Sequence, residues 1–203
     1  PDGRWLGFYS AADRKVKKIA ITGGGSVTIC DVPGGLFGAS WEPDGDIFIG
    51  DGRLGILRVS SSGGKPETVV TVKPGEFAHG PQVLPGNDAV LFTLSRNVSP
   101  SGWDSAEIVV QSLKSGQRKV LIEGGSDARY VSTGHIIYAL GSTLLAVPFD
   151  AKKLEVVGGP VPVIEGVRRA QLGTSAAAQF AFSINCSLVY VPGAGTAQRI
   201  VAL

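Results

Sequence analysis

The sequence predicts an all-β fold, a β-propeller of four-stranded antiparallel blades, on three observations. One phrase recurs down the chain: a Pro-Asp-Gly turn or a near relative, then a compact apolar strand. It reads PDGRWLGFYS at Pro1, EPDGDIFIGD at Glu42, LPGNDAVLFTLS at Leu84, STGHIIYALG at Ser132 and INCSLVYVPG at Ile184. Self-similarity at a period of about 40–50 residues marks a repeat architecture. The composition is turn-rich and apolar, with 29 Gly, 12 Pro, 43% hydrophobic and 18% charged residues, unlike that of a disordered chain. No window of a dozen residues shows helical apolar spacing without Gly or Pro interrupting it. Radial blades leave only short, protected edges. A β-sandwich, the main competitor, would not need the same turn phrase at each interval.

Each blade can be written out strand by strand. In the second, GASWE (Gly38 to Glu42) leads into the Pro-Asp-Gly turn, followed by DIFIGD, GILRVSSS and ETVVTV. Gly and Asp supply the backbone freedom of a tight hairpin. The strand after the turn is almost wholly apolar, as expected where both faces are covered. A second turn, SSGGKP at Ser61, precedes a β-branched fourth strand. The third blade runs through FAHGPQVL, AVLFTLS, EIVVQSL and RKVLIEG, and the fourth through DARYVS, HIIYALG, TLLAVPFD and VPVIEGV. RNVSPSGWDSA and AKKLEVVGGP read as inserted loops, and GTSAAAQ leads into a strand. About five blades are represented, at roughly 1–34, 35–74, 75–125, 126–168 and 169–203. The first lacks its first strand. The last, with QFAFS, SLVYV and QRIVAL, lacks its fourth, so the segment is expected to be part of a larger ring and to self-associate through open edge strands.

Composition excludes several classes. A net charge of +2, with no basic block beyond Lys15 to Lys18, argues against nucleic acid. No apolar run reaches the roughly 18 residues that span a membrane, so no membrane contact is expected within this chain. The chain has no Met and opens inside a repeat, which is expected of a piece of a longer product. Cys30 and Cys186 have no metal or redox spacing, and Cys30 reads as a small buried hydrophobe.

Chemistry is hard to find. A serine hydrolase needs a base near its nucleophile, and His79 and His135 are the only histidines. His135 reads as structural. His79, in KPGEFAHGPQ, starts an innermost strand and is placed to face the central channel. The absence of a Gly-x-Ser-x-Gly elbow argues against serine catalysis, so no catalytic residue is assigned. Asp44, Asp46 and Asp51 invite a calcium reading, but the closing Glu of an EF-hand loop is missing and Asp44 has a turn role. No metal site and no cofactor are expected. GGG at Gly23 and GAGTAQ at Gly193 lack the residues of a phosphate loop.

The phrases PDGRWLGFYS and SWEPDGDIFIG resemble the TolB-type branch of WD-repeat-like propellers. The later repeats, FDAKKLEVVGGPVPVIEGV and QFAFSINCSLVYVPG, look most like the propellers of bacterial serine/threonine kinases. The resemblance implies a bacterial, extracytoplasmic or periplasmic scaffold, gate or docking surface, with any catalytic domain elsewhere. Three parents are consistent with it: a kinase sensor, the gate of a prolyl-oligopeptidase-like peptidase, or a free-standing TolB-like interaction protein.

On that expectation the chain is a non-catalytic binding module, not an enzyme. One face gathers the loops between second and third strands and the links between blades. It would carry Arg53, His79, Trp103, Asp104, Arg168 and Arg169, types that include frequent hot-spot residues, and would take a protein, a peptide or a small ligand. A structural reading competes, in which Trp103 folds back over a blade and the arginines are solvated.

Overall fold

The computed structural model describes residues 2–86, 88–170, 175–183, 185 and 187–193. Cys186 and the QRIVAL strand lie outside them, as does part of GTSAAAQ. The architecture is a β-propeller of successive antiparallel sheets. The first holds β1 (Trp5–Ser10), β2 (Lys15–Ala20) and β3 (Val27–Asp31), paired in that order. The second holds β4 (Leu36–Trp41), β5 (Asp46–Asp51), β6 (Gly55–Ser60) and β7 (Glu67–Val70). The third holds β8 (Phe77–Val83), β9 (Ala89–Ser95), β10 (Glu107–Ser112) and β11 (Arg118–Glu123), with a five-residue helix α1 (Pro100–Asp104) between β9 and β10. The fourth holds β12 (Ser126–Val131), β13 (His135–Leu140), β14 (Thr143–Asp150) and β16 (Val161–Ile164), with β15 (Glu155–Val156) pairing the far end of β14. The fifth shows β17 (Phe180–Phe182) and β18 (Leu188–Tyr190). Among the described residues no helix is long and apolar enough to cross a membrane.

Period-2 alternation explains why the second strands are apolar on both faces. Ile47 and Ile49 of β5 join Val16, Ile29, Cys30 and Val32 of the first sheet, while Phe48 between them joins Val90, Phe92 and Leu94 of the third. In β13, Ile136 and Tyr138 pack toward the third sheet, and Ile137 and Ala139 toward Val167 and Ala178 of the fifth. Each such strand is wedged between two neighbours, and every large side chain it buries contributes roughly 1.5–3 kcal/mol. Burial also pushes the Cys30 thiol up to about 11, which keeps it an inert core residue. At the other extreme, β1 is an edge strand that leaves Leu6 60% exposed.

The acidic trio is not a site. Asp44 accepts the Asp46 amide at 3.1 Å, a turn contact, and Asp46 and Asp51 stand at opposite ends of β5, about 17 Å apart along a strand. Asp51 is instead a brace: it is fully buried and accepts the amides of Gly34, Arg53 and Leu54 at 3.0, 2.8 and 2.9 Å. It thereby ties the β5–β6 turn to the link between the first two blades. Asp51→Ala is expected to destabilise the fold by about 2–3 kcal/mol, because it strands buried donors. Urea unfolding reads this, and a loss below about 0.5 kcal/mol would contradict it.

Two sequence expectations are corrected here. The Arg96–Ala106 insertion is not an irregular loop: Ser99 caps α1 by accepting the Gly102 amide at 3.0 Å, and Pro100 opens the helix. A side chain on Gly102 would come within 2.4 Å of the Asn97 carbonyl, so the glycine permits the tight return. The Ala151–Pro160 insertion likewise contains the short β15.

Candidate active site

The innermost strands β4, β8 and β12 share one irregularity. Against its neighbour each carries one extra residue, between Leu36 and Ala39, His79 and Gln82, and Ser126 and Arg129. Such bulges bend a strand and re-aim its side chains. Each contains a left-handed residue: Gly38 (φ 83°), Gly80 (φ 62°) and Asp127 (φ 52°). The bulges meet at the propeller axis. A side chain on Gly38 would approach the Gly80 backbone to 2.9 Å, and one on Gly80 would reach the Arg129 guanidinium at 2.8 Å. Glycine adopts this conformation freely; aspartate does so at a cost of roughly 1–2 kcal/mol. In the third of three equivalent positions the fold thus carries a strained carboxylate where the other two carry glycine, the kind of strain that clusters at functional sites.

His79 stands beside that carboxylate. Its side chain is 2% exposed, with Nδ1 4.0 Å from Asp127 Oδ1 and Nε2 3.3 Å from the Ser175 hydroxyl. Phe37 meets the ring edge-on at 6.5 Å between centroids, and Trp103 lies over it at 5.5 Å. Asp127 is held from behind: its amide donates to Thr93 Oγ1 at 3.0 Å, and Oδ2 accepts the Ala178 amide at 2.9 Å. Arg129 Nη2 lies 2.7 Å from Oδ1, close enough for charge pairing but outside hydrogen-bond alignment. Its Nη1 donates to the Gly80 and Ala128 carbonyls at 3.0 Å each. Three buried polar atoms have no hydrogen-bond partner among the described residues: His79 Nδ1, Asp127 Oδ1 and Trp103 Nε1. Unpaired buried polar groups are rare enough to need a reason.

Burial pushes the His79 imidazolium down to about 4; the Asp127 charge opposes this shift, and Arg129 and Arg169 add to it. The ring is therefore neutral near pH 7. A proton on Nδ1 would face the Asp127 carboxylate at 4.0 Å and leave the Nε2 lone pair toward Ser175. In that tautomer a neutral imidazole has a carboxylate behind it and a hydroxyl at its second nitrogen, the arrangement of a general base.

Arg129 also lines a cavity of about 710 Å³, together with Gln82, Tyr130, Phe180, Phe182 and Ser183; His79, Asp127 and Ser175 are not among its lining residues. That volume lies in the range of small-molecule sites. Gln82 joins the walls, donating to the Tyr130 carbonyl at 3.1 Å and accepting its amide at 2.7 Å.

The structure brings together four of the six residues singled out from the sequence. Trp103 is 1% exposed and packs with Phe37, Ala106 and Ala176 as a roof over His79, so it is not offered to a partner. Asp104 and Arg169 pair at 3.1 Å, and Arg169 further donates to Ser126 Oγ at 2.7 Å and the Gly141 carbonyl at 2.5 Å. They lock the fourth blade to its neighbours. Arg53 and Arg168 stand exposed and join no cluster. Asp127, Arg129 and Ser175 went unnoticed in the sequence, although aligning FGA, HGP and SDA across the inner strands shows aspartate where glycine stands twice.

No protein-family model matches the sequence, and no curated protein matches it. Solved structures do. The chain is similar to a calcium-binding protein, regucalcin, from Agrobacterium tumefaciens, with TM-score 0.66 and 12% identity over 94% of this chain and 64% of that one. A gluconolactonase from Xanthomonas campestris matches with TM-score 0.66 and 14% identity over 94% and 67% of the two chains. An oligogalacturonate lyase in complex with manganese matches with TM-score 0.61 and 14% identity over 93% and 56%. The chain thus spans less than two thirds of regucalcin and of the lyase. At these identities the likeness is one of fold.

The likeness corrects one expectation. A non-catalytic module was expected because propellers of the resembled groups leave chemistry to other domains. Propellers of the same architecture include a gluconolactonase and a lyase, so the architecture gives no ground for that expectation or for the statement that the chain is not an enzyme. The kinase-sensor, peptidase-gate and docking-protein parents were offered on the same premise and lose that ground. The calcium and manganese of two neighbours do not fit the axial residues. Among the described residues no three His, Cys, Asp or Glu side chains gather to hold an ion, and the Arg129 cation already stands 2.7 Å from the Asp127 carboxylate.

Proposed function

We propose that this chain carries the acid–base centre of a propeller enzyme acting on a small polar substrate, a lactone or a uronate of the kind named for its structural neighbours. His79 is the general base and Asp127 orients it. The observation that supports this most is the buried pair itself: His79 Nδ1, without a hydrogen-bond partner, faces at 4.0 Å an Asp127 Oδ1 that is otherwise engaged only by the Arg129 charge at 2.7 Å, on a bulge that places aspartate in a left-handed conformation. Catalytic hydrogen bonds are commonly long before substrate binds and tighten in the reacting complex. Asp127 then stabilises the imidazolium that forms when Nε2 takes a proton. Arg129, paired with Asp127 at 2.7 Å, puts a guanidinium beside the pair that favours an anionic substrate. The Pro-Asp-Gly turns support a separate proposal about descent, from the TolB-type branch of propellers, which leaves the axial chemistry untouched.

The experiment is an assay of the full-length protein on glucono-δ-lactone, followed by proton release, and on oligogalacturonate, followed by absorbance of the unsaturated product. Turnover of one class that His79→Gln removes is the expected result. Turnover of neither class, or turnover that survives the substitution, overturns the proposal.

A further inference from the structure

We propose that Ser175 is a nucleophile, so that the axial site works through a covalent acyl-enzyme on ester or lactone substrates. This rests on the reading of His79 as a base. Three elements from three blades contribute: His79 on β8, Asp127 on β12, and Ser175 on the segment leading to β17. Their order of contact is that of an activated serine. The Ser175 hydroxyl is 3.3 Å from Nε2, and the carboxylate faces Nδ1 on the opposite side of the ring. Such a constellation is recognised by geometry and roles, not by sequence position, so the missing nucleophile elbow does not count against it.

Local structure fixes the serine. Ser175 Oγ accepts the Ala177 amide at 3.1 Å and lies 3.3 Å from His79 Nε2, so its hydroxyl proton is free to be donated there. The next residue, Ala176, is buried with Trp103 and Phe37, and Ala178 donates its amide to Asp127 Oδ2 at 2.9 Å. The segment is thus sewn to both other members. Ser175 itself is only half-buried, so it stands at the accessible edge of the cluster while His79 and Asp127 stand behind it.

The step balances without a co-reactant other than water. Ser175 Oγ forms a bond to the acyl carbon as its proton passes to His79 Nε2. The alcohol leaves with that proton as the acyl C–O bond breaks. Water then attacks the acyl-serine, giving its proton to Nε2, and the carboxylic acid departs as Ser175 recovers its own. For a lactone the leaving alcohol stays tethered to the acyl group and departs with it.

An alkyl fluorophosphonate tests this directly, because it labels only activated serines. Incubation of the full-length protein, followed by peptide mass mapping, is expected to place the adduct on Ser175. The labelling rate is expected to fall by about 10²-fold or more in His79→Gln, since the base is lost. p-Nitrophenyl acetate is expected to show a burst of one nitrophenolate per chain. An adduct elsewhere, or none, overturns the nucleophile whatever the variants do, since the wild-type protein alone decides it. If Ser175 stays unlabelled while lactone turnover still depends on His79, the base reading stands and only the nucleophile falls. Turnover and labelling both indifferent to His79 overturn both.

Discussion

Replacing His79 by Gln is expected to lower turnover by about 10²–10⁴-fold, the usual contribution of a positioned acid–base group, while the fold persists. Glutamine keeps a polar side chain of similar reach but cannot take up a proton. The surrounding ring contacts with Phe37 and Trp103 are partly lost, so some stability is given up. A variant that melts cooperatively and still turns over at the wild-type rate would contradict the assignment. Asp127→Asn sharpens the test. Asparagine tolerates the left-handed backbone and keeps an acceptor for the Ala178 amide, but it cannot stabilise an imidazolium by charge. Its turnover is expected to fall with little change in substrate affinity.

The second large effect is on stability. His79 titrates at about 4 in the folded protein against an ordinary value of 6.5, so the unfolded chain takes up this proton first as the pH falls. The sign follows: the contribution is fully present above about pH 6.5, declines between about 6.5 and 4, and is spent below that. The loss amounts to roughly 3 kcal/mol, a sizeable part of a typical folding free energy. Urea midpoints measured between pH 7 and pH 4 are expected to fall more steeply for the wild-type protein than for His79→Gln. Equal slopes in the two proteins would show that His79 is not the titrating group.

The blades were legible because they follow from strong local signals. DIFIGD, AVLFTLS and HIIYALG are apolar at every second position on both faces, and that pattern only suits strands wedged between two sheets. The turns announced themselves through Pro, Asp and Gly. The short helix was missed because it is shorter than any periodicity window, although Ser99 followed by Pro100 is a readable helix start. For Trp103 the sequence leaves two readings open, a partner contact and a fold back over a blade; its burial, which decides for the second, depends on Phe37 and Ala176 from other blades.

The site was hidden for a similar reason. Ser175 and His79 are 96 residues apart, and only ring formation brings them together. The sequence does place His79 on an inner strand, and expects it to face the channel, whereas its ring is buried against Phe37 and Trp103. It does not show the bulge, because one extra residue in a strand leaves no local mark except the glycine that turns it. Where Asp127 replaces that glycine the mark disappears, and the strained aspartate reads as an ordinary turn residue.

The most direct measurement is the protonation of the His79 ring, read by ¹⁵N NMR of selectively labelled histidine between pH 4 and pH 8. The expected result is a neutral ring near pH 7 with its proton on Nδ1 and a bare Nε2, gaining the second proton only as the pH approaches about 4. A proton on Nε2 instead, or an imidazolium already formed at pH 7, would leave no lone pair for Ser175 or a substrate and would contradict the assignment of His79 as the base.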